Sequence, residues 1–187
     1  NDINPVCIEA LRRRISRLSP DLRARYFTLD CNAAVLEIRS VLPPFNQSVE
    51  LAIIDAWGWE MSFDALTSLT SGRKMDIIVT FPIGNIKRNH RRQLDQLDQF
   101  LGGEGYKEAF FDAMSRPSGS ASRILLDYYG GRLREIGYTY INDQVWVPNA
   151  KQVKLYHLVF ASKHQRGDDF WMKITKRSPK GQLRLGL

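Results

Sequence analysis

Val49-Glu50-Leu51-Ala52-Ile53-Ile54-Asp55 and Met75-Asp76-Ile77-Ile78-Val79-Thr80-Phe81 are the two stretches on which the fold turns. Each is short, rich in β-branched residues and almost continuously apolar, and each ends in turn formers: Asp55 with Gly58 just beyond it, and Pro82 with Gly84. Such runs predict strands. On either side of them, β-rich runs alternate with longer stretches of helical period. This alternation predicts an α/β fold with a mainly parallel sheet and helices on both faces.

Val6, Ile8, Leu11, Ile15 and Leu18 recur at helical spacing behind Pro5, which suits a first helical turn, so an amphipathic helix is predicted over 5–18. Arg25–Asp30 reads as a strand ending in an acid, and a helix follows from about Asn32 to Leu42, where Pro43-Pro44 stops it. Leucines and Phe100 predict a helix from about Arg88 to Leu101, closed by Gly102-Gly103. Residues 103–137 read as a helical insert: helices over Tyr106–Met114 and Ser122–Ile136, with the Pro117-Ser-Gly-Ser loop between them. Tyr138–Val147 is a strand or hairpin, Leu155–Ala161 a strand, Asp168–Arg177 a short helix and Gln182–Leu187 a closing strand. Residues 1–187 are read as a single domain.

With 43% hydrophobic and 25% charged residues among 187, the composition is that of a globular domain, and it excludes disorder, collagen and coiled coil. No apolar run approaches the roughly 20 residues of a membrane span, and no signal peptide opens the chain. A soluble, cytoplasmic protein with no membrane partner is expected. Cys7 and Cys31 predict buried free thiols, and no metal site is expected. The net charge of +7 is localised: residues 1–150 hold 18 Lys/Arg against 18 Asp/Glu, whereas 151–187 hold nine basic residues against Asp168 and Asp169. That surface would attract a phosphate backbone or an acidic protein, or would simply be a solvated basic face.

Asp30, Asp55 and Thr80, with Asn85 beyond it, stand where chain leaves predicted strands. Ligands of open α/β sheets bind outside the carboxyl strand ends, so these residues are expected to face one crevice holding a nucleotide-like ligand. Each could instead form a turn or cap a helix. Asp2, before the helix at Pro5, has the position of an acid that binds ribose hydroxyls, or of an N-terminal cap. No GxGxxG or GxxxxGK[ST] loop occurs. Lys87, Arg88, His90, Arg91 and Arg92 form a basic run suited to clamping phosphate, or to the solvated start of a helix, where positive charge opposes the macrodipole. His164, beside Ser162 and Lys163, is the better candidate for a working imidazole, and His157 for a core one. Tyr128-Tyr129 with Arg132 and Arg134 fit core packing or an aromatic-basic face. No hydrolase signature such as GxSxG or HExxH is present.

Asp2-Ile-Asn-Pro5, Leu29-Asp-Cys-Asn32, Ile54-Asp-Ala-Trp-Gly58, Thr80-Phe-Pro-Ile-Gly-Asn-Ile-Lys-Arg88 and Leu158-Val-Phe-Ala-Ser-Lys-His164 with Phe170-Trp171, in this order, resemble the three-Cys-motif partner proteins. That family is similar to class I S-adenosylmethionine-dependent methyltransferases, so the resemblance implies a Rossmann-like sheet of order 3-2-1-4-5-7-6. It further implies that Asp2 holds the cofactor's ribose and that Asp30 and Cys31 sit beside its adenine. Asp55 and Trp57 would lie near the transferred methyl as catalytic residues, and Ala56 departs from the usual proline. The family's upstream strand and its glycine-containing loop have no counterpart here, so the chain is expected to be the C-terminal portion of a longer one, missing its first strands. A basic rim of Arg88, Arg91, Arg92, Lys163 and Arg166 would hold a nucleic acid or another anionic partner, and the family's name implies a protein encoded nearby as a partner. A non-catalytic binding module of the same fold is the alternative.

Overall fold

The computed structural model describes residues 1–19, 21–44, 47–55, 58–116, 121–149 and 153–176. They form two compact units, Asn1–Pro43 and Pro44–Leu187. In the first, α1 (Pro5–Leu18) starts as predicted, with the Asn4 side chain accepting from Val6 N–H at 2.9 Å. Ile8 is its buried residue, and Glu9 pairs with Arg13 one turn on at 2.9 Å. Helix α2 (Cys31–Val41) is capped by Asp30, whose Oδ1 accepts from Asn32 N–H at 2.8 Å and Ala33 N–H at 3.3 Å. The strand expected at 25–30 does not form. Asp2 N–H donates to Phe27 O at 3.2 Å, but a strand needs a ladder of such bonds, and residues 21–30 are assigned to no sheet.

The second unit runs β1 (Glu50–Ile54), α3 (Phe63–Thr70), β2 (Met75–Phe81), α4 (Ile83–Asn89), a 3-10 turn at His90–Arg92, α5 (Leu94–Leu101), α6 (Lys107–Met114), α7 (Ala121–Glu135), β3 (Tyr140–Pro148), β4 (Lys154–Ser162) and α8 (Gln165–Thr175). Its four strands make one sheet of order β1-β2-β4-β3. β1 and β2 are parallel; β4 is antiparallel to both β2 and β3. The fold is α/β, but the sheet is mixed rather than mainly parallel. The connection after Pro148 is too short for the crossover a parallel neighbour requires, so β4 folds back on β3 as a hairpin. The expected Pro117 loop and Gln182–Leu187 strand lie outside the described residues.

Alternate residues of β2 explain the two helical layers. Ile77, Val79 and Phe81 are buried on one face, where Phe81 lies 5.4 Å from the rings of both Phe100 (α5) and Tyr129 (α7). Phe100 and Tyr129 stack at 5.3 Å, and Phe63 (α3) meets Tyr129 edge-on at 5.8 Å. Tyr129 is thus core, and α7 belongs to the helical layer on the Phe81 face of the sheet. On the opposite face Phe160, paired with Ile78, stacks on Trp171 of α8 at 4.8 Å. Helix α5 ends at Gly102, whose φ of +79° and 2.7 Å approach of a would-be Cβ to the Phe63 ring both demand glycine. The single helix expected over 88–101 is instead α4, a turn and α5. His90 Nδ1 bonds the carbonyls of Ile86 (3.2 Å) and Lys87 (3.1 Å) at the break. No helix among the described residues is long and apolar enough to cross a membrane.

His157, expected to be a core histidine, is buried in β4 with Nδ1 donating to Asp143 O at 2.9 Å. Burial holds its pKa below the ordinary 6.5, with nearby Lys154 and Arg123 acting in the same sense. The unfolded chain therefore binds a proton before the folded one as pH falls. The stability this imidazole contributes is full above about pH 6.5 and is lost as pH drops from there towards the folded-state value. Urea midpoints measured between pH 7.5 and 5.5 are expected to fall in the natural chain and to fall less in His157→Gln; equal slopes would contradict this.

Candidate functional site at the strand ends

Because β1 and β2 are parallel with Ile54 opposite Val79, the next residues, Asp55 just past β1 and Thr80 near the end of β2, stand side by side and point to the same face. Thr80 Oγ1, buried, donates to Asp55 Oδ1 at 2.8 Å. Asp55 is exposed, and one of its carboxylate oxygens is pinned by the neighbouring strand. Two expected crevice residues are thus brought together. Trp57 and Ala56 lie outside the described residues. Trp59, two positions beyond, is a buried core side chain.

From Phe81 the chain passes through Pro82 directly into α4. Ile83, Ile86 and then His90 point inward, and Asn89 Nδ2 donates to Asn85 Oδ1 along one flank. Successive helical residues are separated by about 100°, so Lys87, Arg88, Arg91 and Arg92 fall on the side away from the core. Lys87 is half-buried and the three arginines are exposed. Among the described residues no carboxylate pairs with any of the four. His90 does not join them: it is buried, with its ring edge-on to Phe110 at 5.3 Å, and acts as a helix-end anchor rather than a phosphate contact. The dipole argument also reverses. Lys87 and Arg88 occupy the last turn of α4, where positive charge is favoured.

Lys163, His164 and Arg166 stand elsewhere. β4 runs antiparallel to β2 with Ala161 opposite Ile77, so Ser162 and its successors lie at the amino end of β2, while α4 leaves from its carboxyl end. The length of β2, about 20 Å at roughly 3.3 Å per residue, separates the two basic groups. One rim from Arg88 to Arg166 does not form. Lys163 Nζ donates to Thr70 O (3.0 Å) and Arg73 O (3.3 Å) and lies 5.0 Å above the Tyr138 ring, and burial lowers its pKa. His164 caps α8, its Nδ1 accepting from Arg166 N–H at 3.1 Å, and Ser162 Oγ donates to His164 O at 2.8 Å. The Ser-Lys-His segment is a clamp that ties α8 and the β2 entry together.

In the first unit, Asp2 Oδ1 accepts from Asn4 N–H at 2.8 Å and Asp30 Oδ1 caps α2. Both are turn or cap residues with the second carboxylate oxygen outside those bonds. Cys31 is half-buried at the start of α2 and Cys7 is exposed, so neither is the buried thiol expected. A groove of about 430 Å³ runs along α1 past Val6, Glu9 and Arg13, and one of about 270 Å³ lies between α3 and α5 beside Asp64, Asp98 and Glu104; neither is lined by Asp2, Asp30 or Asp55. No group of three or more His, Cys, Asp or Glu among the described residues is placed to hold a metal ion. Compared with known protein families, curated proteins and solved structures, the chain matches none.

Helix α3 escaped the sequence reading, although its signals were present: Ser62 as a cap accepting from Ala65 N–H at 3.1 Å, and Phe63, Leu66, Leu69 and Thr70 on one face. The Arg73–Glu50 pair at the sheet's entry had no local signature at all.

Proposed function

We propose that this chain is a Rossmann-like, class I methyltransferase-like protein akin to the three-Cys-motif partner proteins, binding S-adenosylmethionine and acting on a nucleic acid or another anionic partner. The observation that carries the reading is the strand order. β1-β2-β4-β3, with the last strand inserted between the second and third, reproduces the 4-5-7-6 half of the order that the resemblance implies. The ligand end of such a sheet is its carboxyl end, where Asp55 stands.

The donor set suits the cofactor. Asp2 and Asp30 keep one carboxylate oxygen outside their turn and cap bonds, able to accept from ribose hydroxyls and an adenine amino group, with Cys31 next to Asp30 in the chain. S-adenosylmethionine, when bound, supplies an electrophilic methyl on sulfur. Asp55 is the residue that orients an acceptor: Thr80 holds Oδ1, which fixes the direction in which Oδ2 can take a hydrogen bond or a proton from an incoming amine or hydroxyl. Trp57 is retained in the proposal as a neighbour of that acceptor on the resemblance alone.

A calorimetric titration of S-adenosylmethionine into the full polypeptide encoded by the source gene tests the reading. Binding is expected, with Asp2→Ala weakening it about tenfold, the effect of losing a hydrogen bond to a charged group. No binding by a folded protein would overturn the cofactor proposal and favour the non-catalytic module, a reading supported by the unpaired cations on α4.

A further inference from the structure

The four cations on α4 and its following turn stand at one end of the sheet together with a ring. The row Phe81–His157–Trp146 crosses β2, β4 and β3 in register, so Trp146 stands at the same sheet end from which α4 departs. Trp146 is half-buried, and Lys154 Nζ lies 4.9 Å above its ring. Helix α4 packs against the start of β4 so closely that a Cβ at Gly84 would meet Leu155 O at 3.1 Å. Basic side chains and an indole therefore share one sheet end. Like charges one turn apart repel, and no carboxylate among the described residues relieves Lys87, Arg88, Arg91 or Arg92. A bound polyanion would relieve them.

We propose that this end of the second unit is a binding surface for single-stranded nucleic acid. Lys87, Arg88, Arg91 and Arg92 grip phosphates, and Trp146 stacks a base once Lys154 swings from the ring onto the backbone. Three of these four cations are arginines, whose fork matches phosphate oxygens. A ring beside a basic track is the arrangement that takes unpaired bases, since paired bases keep their faces in the duplex stack. The proposal deepens the functional reading by naming its anionic partner, and it places that partner at the carboxyl end of the parallel strands, the end at which Asp55 also stands. It also excludes Lys163 and Arg166, at the far end of β2, from the contact.

Fluorescence anisotropy of the full chain with a labelled single-stranded oligonucleotide of about 15 nucleotides, without S-adenosylmethionine, tests it. Binding is expected to weaken steeply with salt. The exposed triple variant Arg88→Gln, Arg91→Gln, Arg92→Gln should lose tenfold or more in affinity, with the salt slope falling by about one per cation removed. Trp146→Leu should weaken single-strand binding roughly tenfold and leave duplex binding unchanged, and Arg166→Gln should change nothing. Circular dichroism and urea midpoints establish that each variant is folded. The proposal is overturned by absent binding, by an indifferent triple variant, by Trp146→Leu acting on duplex and single strand alike, or by polyglutamate binding as tightly as the oligonucleotide. Because the cofactor is left out, failure here leaves the calorimetric result standing, and the reverse.

Discussion

Arg73→Met is expected to cost the second unit about 3–5 kcal/mol of folding free energy. Arg73 lies just before β2 and Glu50 opens β1, 23 residues apart in the chain, and their side chains are only 8% and 10% exposed. Arg73 Nε donates to Glu50 Oε2 at 2.6 Å, its Nη2 donates to Oε1, and Ser48 Oγ adds a bond to Oε1 at 2.6 Å. The pair closes the amino end of the parallel strands. Removing the guanidinium leaves a desolvated carboxylate whose Ser48 bond cannot replace a bidentate partner, and that uncompensated charge accounts for most of the loss. The double variant Glu50→Leu, Arg73→Met should therefore recover much of it, because a buried ion pair gives little over well-packed apolar side chains. Urea unfolding followed by tryptophan fluorescence measures both. A single-variant loss below about 1 kcal/mol, as for an exposed pair, would show that the carboxylate is solvated rather than buried.

Gly167→Ala is the second large effect, expected at about 2–3 kcal/mol. Helix α8 passes so near the sheet that a Cβ at Gly167 would fall 2.3 Å from Ser162 Oγ and 2.6 Å from Asp76 Oδ2. Ser162 is fully buried, and its hydroxyl is held by His164, donating to O at 2.8 Å and accepting from N–H at 3.0 Å, so it cannot yield. The helix must lift instead, and Trp171 then loses its stack on Phe160. Near-UV circular dichroism should report that loss, and the urea midpoint the destabilisation. Gly131→Ala is the control. It lies in α7 with nothing within 4 Å of its would-be Cβ, so there the change should stabilise by about 0.5–1 kcal/mol through helix propensity. Similar effects at both sites would refute the close approach.

Elements decided by short-range pattern were legible. The ends of α1 and β2 follow from Asn4-Pro5 and from a β-branched run closed by Pro82, and the structure places them where the residues put them. The break between α4 and α5 was not legible, because it depends on where the His90 ring finds carbonyls and aromatic neighbours, including Phe110 from α6. Residues 25–30 mislead for the converse reason. Arg25-Tyr-Phe-Thr-Leu has strand composition, yet strands exist only as pairs, and pairing is not local.

The candidate site divides in the same way. That Asp55 and Thr80 follow apolar runs was written in the sequence; that Thr80 holds Asp55 required the two strands to be parallel and in register. The sequence by itself determined which residues alternate in and out of each element, where caps and breakers stand, and that a surplus of positive charge exists, since these depend on neighbours within a turn or two. Only the tertiary structure decided that β4 enters antiparallel between β2 and β3. That one choice carries Lys163, His164 and Arg166 to the amino end of β2 and leaves the cations of α4 at the carboxyl end with Asp55. Strand order is settled by which apolar faces bury best against distant helices, a free energy summed over contacts far apart in the chain, and no local pattern encodes it.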